Sequence, residues 1–66
     1  MTQSQAFAIE VHGRSAGIVV GHDGDFTFFA SDHSFRDLDR QVFRRVGQAE
    51  RAAARVFAAR RDHRRA

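Results

Sequence analysis

The stretch Phe7-Ala8-Ile9-Glu10-Val11-His12 places three large apolar side chains on one side of an extended chain and Ala, Glu and His on the other. This period of two is the pattern of a β-strand with one buried face. Two further runs of β-branched and aromatic residues follow at 16–20 and 26–31, after short loops that contain Gly13 and Gly24. We therefore predict an antiparallel meander of three strands, at about residues 6–12, 15–21 and 25–31.

The loops determine which residues face each other across the strands. A two-residue turn is predicted at Gly13-Arg14. At the second loop, a two-residue turn at Asp23-Gly24 would divide the apolar residues between both faces of the sheet, whereas a three-residue loop with a bulge keeps them on one face. We predict the bulged loop, in which Phe29 lies across from Gly17 on an opposite face that is not wholly polar. The predicted core face consists of Phe7, Ile9, Val11, Ala16, Ile18, Val20, Phe26, Phe28 and Ala30.

Residues 34–60 carry the pattern of one long amphipathic helix. Ser34, with Asp37 three residues later, resembles the capping box that begins many helices. The apolar residues that follow occupy a stripe about 100° wide, the width of a core-facing helix surface. They are Phe35, Leu38, Val42, Val46, Ala49, Ala53, Val56 and Phe57. The predicted fold is α+β, a three-stranded antiparallel meander packed against one long C-terminal α-helix (βββα), with residues 61–66 frayed.

The small size of the chain argues for assembly. With 66 residues and no cysteine, it builds a thin core that no disulfide can support. A helix of roughly 25 residues spans ~37 Å and a six-residue strand only ~20 Å, so the predicted helix extends well beyond the sheet. We predict a homodimer; the alternative is a solvated helix extension in which alanine only maintains helicity. The expected dimer contacts are Ala49, Ala53, Val56 and Phe57.

The basic charge resides in arginine, because the chain has no lysine and its net charge is +3. Three interpretations of the arginines stay open: a solvated face in a composition that prefers arginine to lysine, a surface for a polyanion such as nucleic acid, and a surface for an acidic protein. The predicted outer face of the sheet carries no arginine within it, which argues against reading of DNA by the sheet. The arginines opposite the apolar stripe of the predicted helix are Arg36, Arg40, Arg44, Arg51 and Arg55.

The remaining polar residues do not form a recognisable chemical site. His12 and Asp32-His33 fall at one end of the predicted meander and His22 at the other, too few convergent ligands for zinc. The contiguous Ser31-Asp32-His33-Ser34 is not a nucleophile–base–orienter array by adjacency alone. The chain also lacks a cysteine nucleophile and a glycine-rich phosphate loop. His63, the fourth histidine, lies near the C-terminal end of the sequence. We expect no enzyme activity, no metal or other cofactor and no small-molecule substrate.

Composition and hydropathy bound the location of the protein. With 42% apolar and 29% charged residues, the composition is that of a globular protein. No apolar run approaches the ~20 residues of a membrane span, and the first residues lack the charged and apolar regions of a signal peptide. We expect a cytoplasmic protein without a membrane partner.

About half of the chain resembles small uncharacterised bacterial proteins of βββα layout. The resemblance is carried by residues 12–20 (HGRSAGIVV), 23–31 (DGDFTFFAS) and 35–38 (FRDL), and it implies a fold but no functional residue. The AP2-type DNA-binding domain shares the layout, but this chain lacks its basic sheet face. The double-stranded-RNA-binding domain is similar in the basic cluster that opens its last helix, here Arg36 and Arg40, but it has a helix before its strands.

Together these patterns predict a small non-enzymatic binding or regulatory protein that acts as a homodimer. The alternative function is that of a nucleic-acid-binding accessory protein that uses the arginine face of its helix.

Overall fold

The computed structural model describes residues 5–65, with side chains described for residues 5–59. Four strands form one antiparallel sheet in the order β1-β2-β3-β4, and the C-terminal helix packs on one side of it. The predicted α+β class with an antiparallel sheet is confirmed, with a short fourth strand in addition. The elements are β1 (Gln5–Val11), β2 (Arg14–His22), β3 (Asp25–Ala30), a 3₁₀ helix (His33–Leu38), β4 (Val42–Phe43) and α1 (Val46–Arg65).

Both hairpins close with two-residue turns. His12 and Gly13 have φ values of 51° and 78°, and Asp23 and Gly24 have values of 55° and 85°. Positive φ at both central residues defines the type I′ turn, whose twist matches that of the flanking strands. The first turn therefore lies one residue earlier than predicted. The bulged second loop is a wrong prediction, because the two-residue alternative is the one that forms.

A bulge inside β2 decides which side chains enter the core. Ile9 pairs with Gly17 while Glu10 pairs with Ser15, so Ala16 is the extra residue of the bulged strand. Beyond the bulge the phase of β2 is opposite to the predicted one. Val19 is fully buried, whereas Ile18 and Val20, both assigned to the core from the sequence, lie on the other side of the sheet, and Ile18 is 41% exposed.

The prediction of one helix over 34–60 is wrong. The 3₁₀ helix, strand β4 and helix α1 occupy this part of the chain. Its first part is the 3₁₀ helix, which Asp32 caps by accepting a hydrogen bond from the Ser34 N–H at 2.9 Å. At Arg40, where φ is 70°, the chain turns back along β3. The Arg40 N–H donates to the Phe28 carbonyl oxygen, and the Phe28 N–H donates to that of Gln41 at 2.8 Å. These bonds satisfy the outer edge of β3, which a continuous helix would leave unpaired.

Strand β4 continues this pairing, with Val42 opposite Thr27 and Phe43 opposite Phe26. Phe43 packs against the core and Val42 is 59% exposed, which is the alternation of a strand. The Asp39 carboxylate extends the closure of β3, because its Oδ1 accepts the Ala30 N–H at 2.9 Å. The edge of β3 is therefore covered along most of its length.

Helix α1 begins at Val46 and continues to Arg65, so the described helix does not end near residue 60; Ala66 lies outside the described residues. The Gln48 side chain caps its start: Gln48 Oε1 accepts hydrogen bonds from the N–H groups of Arg44 at 3.0 Å and Arg45 at 3.3 Å, which is one half of a capping box. The helix packs chiefly on β1 and on the 3₁₀ helix. The buried core consists of Ile9, Val11, Ala16, Val19, Phe28, Phe35, Leu38, Ala49 and Ala53.

Candidate functional site

The side of the sheet that faces away from α1 is apolar. Two cross-strand rows of side chains lie on it, and we call these residues the outer sheet face. An antiparallel sheet with one face on the core normally carries polar side chains on the other. Here Ile18 and Phe29 are each 41% exposed and Val42 is 59% exposed. The first row is Ala8, Ile18 and Phe29, and the second is Ala6, Val20, Thr27 and Val42.

The outer sheet face has borders of opposite charge. Glu10 lies at the β1 border, exposed, because its neighbours Ile9 and Val11 point into the core. At the β4 border, Arg40 and Arg44 flank Val42 on the chain, and both are exposed. The face is therefore an apolar centre between an acidic and a basic border.

The partly apolar reverse face was predicted from Phe29, and the exposure of Phe29 there is confirmed. The predicted pairing of Phe29 with Gly17 is wrong, because Gly17 lies opposite Ala30. Two of its large members, Ile18 and Val42, were instead assigned to the core and to the helix stripe. The Asp23-Gly24 dipeptide carried the signal for Ile18, because the two-residue turn that it favours sets Ile18 opposite Phe29. That turn was rejected from the sequence because it divides the apolar residues between both faces of the sheet.

The five predicted arginines do not share one helix face. Arg36 lies on the 3₁₀ helix, Arg40 in the turn before β4 and Arg44 just before α1; only Arg51 and Arg55 lie one turn apart on α1. All five are exposed. Within residues 5–59, no carboxylate lies within the 4.0 Å of an ion pair from any of them. No acidic side chain among residues 5–59 therefore neutralises their charge at close range.

The residues predicted as dimer contacts belong largely to the core of their own chain. Ala49 and Ala53 are fully buried against the sheet, and Val56 and Phe57 pack partly against the same core. The Phe57 ring lies 5.1 Å, centroid to centroid, from that of His12. The helix surface that would meet a partner through the two alanines is thus already covered within the protomer, and the homodimer stays a prediction.

His12 lies in the first turn, His22 ends β2 just before the second turn, and His33 begins the 3₁₀ helix. His22 Nε2 is 3.2 Å from a carboxylate oxygen of Asp23, and both side chains are exposed. An open cleft adjoins this second turn, lined by backbone and side chains of residues 21–26 and Gln5. No group of three or more potential metal ligands converges in the part of the chain that the structure describes. The side chain of His63 lies outside that part.

The polar residues around the 3₁₀ helix serve local structure. The Ser34 N–H bonded to the Asp32 carboxylate holds the pKa of that group below its ordinary 3.8, opposed by partial burial and assisted by the Ser34 hydroxyl, Arg14 and His33. Ser15 and Ser31 share a hydrogen bond of 3.1 Å between their hydroxyl oxygens. Asp32 and Ser34 therefore act together at the start of the 3₁₀ helix, where the Asp32 carboxylate caps the Ser34 N–H.

Comparison with known proteins adds no relative. No protein family, curated protein or solved structure matches the chain. None of the described helices is both long enough and apolar enough to cross a membrane. Among the described residues, the two surfaces suited to binding are the outer sheet face and the exposed arginines.

Proposed function

We propose that this chain is a small non-enzymatic binding protein that acts as a homodimer. The observation that carries the proposal is the outer sheet face, where Ile18, Phe29 and Val42 remain exposed beside alanine and valine neighbours. Covering the exposed part of each large side chain contributes about 1 kcal/mol to association. Such a face on a soluble protein marks an interaction surface.

The thinness of the fold supports the same proposal. α1 and the 3₁₀ helix cover one side of the sheet, and the buried apolar core within residues 5–59 consists of nine residues. A domain of this length buries only about 60% of its unfolded surface. A second layer on the uncovered side would add a second core, which is how small domains without disulfides or metals gain stability.

Sedimentation equilibrium of the full chain across the micromolar range tests the proposal. The expected result is a species of twice the 7.5 kDa chain mass, with a monomer fraction that grows on dilution. A chain that sediments at 7.5 kDa at every concentration contradicts the homodimer.

A second candidate function is polyanion binding, and three exposed arginines with no acidic partner among the described side chains favour it. Arg44, Arg51 and Arg55 are exposed and have no carboxylate within ion-pair distance among the described residues. Guanidinium groups in this state bind phosphates or sulfates by releasing condensed counterions. The net charge of +3 limits the affinity that this term can supply.

Retention on heparin as a function of salt tests this second function. Substituting Arg44, Arg51 and Arg55 together by Gln is expected to shorten retention and reduce its salt dependence. Substituting the same three by Lys keeps the charge and is the matched control, which we expect to bind like the wild type. Absence of retention at low salt, or equal retention of the Gln and Lys variants, contradicts polyanion binding by these residues.

A further inference from the structure

We infer that a second copy of this chain covers the outer sheet face, so that the two sheets form a face-to-face sandwich. The two-fold axis lies midway between the two sheets and runs parallel to the strands. Viewed along the sheet normal, it falls between β2 and β3. This inference rests on the homodimer proposed above and specifies its interface. Aligned sheets pack about 10 Å apart with their inner side chains interdigitated, which is the arrangement that two apolar sheet faces adopt.

The centre of the face is suited to this axis. Ile18 and Phe29 are direct cross-strand partners on the two central strands, and each is 41% exposed. Rotation about an axis between them places Ile18 over Phe29 of the partner subunit, and Phe29 over the partner's Ile18. The largest exposed apolar pair of the sheet therefore becomes the middle of the interface, where exclusion of water is greatest.

The second row matches small residues with larger ones. The same axis brings β1 over the partner's β4, because these strands are equally distant from it on opposite sides. Ala6 and Val42 end the same cross-strand row, so Ala6 comes over Val42 of the partner subunit. The small residue leaves room for the more exposed one, as close packing between two layers requires.

The charged borders select this axis over the other in-plane choice. With the axis parallel to the strands, Glu10 at the β1 border approaches the partner's β4 border, where the nearest basic residue is Arg40. With the axis perpendicular to the strands, β1 would lie over the partner's β1 and β4 over the partner's β4. Both Glu10 residues would then share one border of the interface and the arginines the other, so Glu10 would not lie near Arg40 or Arg44 of the partner subunit and the opposite-charge contacts would be lost.

The apolar centre is tested by sedimentation equilibrium of Ile18→Thr and Phe29→Thr. Threonine suits a strand, and both positions are exposed in the protomer, so the fold is expected to persist and circular dichroism checks it. Each change occurs twice in a symmetric interface, and the dimer dissociation constant is expected to rise about tenfold or more. Phe7→Thr is the matched control: Phe7 is 40% exposed but lies on the inner side, against Phe26, and we expect dimer affinity to be retained.

The charged borders are tested by a swap. Glu10→Arg and Arg40→Glu, each alone, place like charges together at both borders and are expected to weaken the dimer. An equimolar mixture of the two variants restores opposite charges at both contacts. We expect the mixture to form heterodimers with an affinity close to that of the wild type.

The outcomes separate the inference from the proposed function. A wild-type dimer that Ile18→Thr and Phe29→Thr leave intact overturns the sandwich interface but keeps the homodimer. A mixture of the charge variants that remains monomeric overturns the orientation of the axis. A monomeric wild type overturns the homodimer and the sandwich together.

Discussion

Gly17 is the position where one added methyl group should damage the fold most. A Cβ atom built on Gly17 would lie 2.3 Å from the Phe29 carbonyl oxygen and 3.0 Å from both the Ala30 Cα and the Phe28 ring. Two of these three neighbours are backbone atoms of β3, which cannot rotate away. Gly17→Ala therefore forces β2 and β3 apart near the centre of the sheet.

The magnitude follows from the cost of overpacking, which is typically 1–3 kcal/mol and here belongs at about 3 kcal/mol because backbone must move. A domain of this length has a total stability of about 3–10 kcal/mol. The alanine variant is therefore expected to lose about a third of its stability or more. With an m-value of about 1 kcal/mol/M in urea, the unfolding midpoint should fall by about 3 M.

Urea unfolding followed by circular dichroism measures this shift, with protein concentration held fixed because assembly changes the apparent stability. Gly47→Ala is the control, since its Cβ would meet only an Arg51 nitrogen at 3.8 Å and alanine is the better helix former. Gly24→Ala is a second control, which introduces backbone strain without a clash. Its Cβ meets nothing within 4 Å, and holding alanine at a φ of +85° costs about 1 kcal/mol. A Gly17→Ala midpoint equal to that of Gly24→Ala, or to the wild type, would refute the steric reasoning.

Two further predictions concern the caps. Gln48→Ala removes the side chain that accepts hydrogen bonds from the Arg44 and Arg45 N–H groups, and it should lower the free energy of unfolding by about 1 kcal/mol, measured by thermal unfolding. Gln48→Glu keeps an acceptor and should retain the stability of the wild type. Equal losses in both variants would contradict the cap. Asp32 has a lowered pKa in the fold, so its carboxylate stabilises the protein above the ordinary value of 3.8, and this contribution is lost as the pH falls through the lower folded value. Urea midpoints measured against pH should therefore decline more steeply for the wild type than for Asp32→Asn in this acidic range, and parallel curves would contradict the assignment.

The strands were predictable because the alternation of apolar residues in β1 is local. The phase of β2 was not, because a bulge adds one residue without changing composition, and Ala16 and Gly17 are both buried around it. The positive φ of His12 could not be predicted either. Glycine is the residue that indicates such a conformation, and only the register of the hairpin requires a left-handed residue before Gly13.

The single long helix was predicted because Leu38, Val42 and Val46 recur every four residues, which a helix stripe also requires. What breaks the helix is a distant cause: the N–H and carbonyl groups of Phe28 on β3 pair with residues 40 and 41. No pattern within residues 34–60 reveals that demand. The error in the β2 phase carried into the candidate site, because it placed Ile18 in the core.

The contact between His12 and Phe57 has a consequence for the order in which the chain folds. These rings meet at 5.1 Å although they are more than forty residues apart, and α1 packs chiefly on the first strand. Each hairpin can close within microseconds, but an isolated pair of strands is marginally stable in water. We therefore expect the core to close only after α1 has been synthesised. We expect the nascent chain to keep both faces of its sheet exposed until α1 returns to β1.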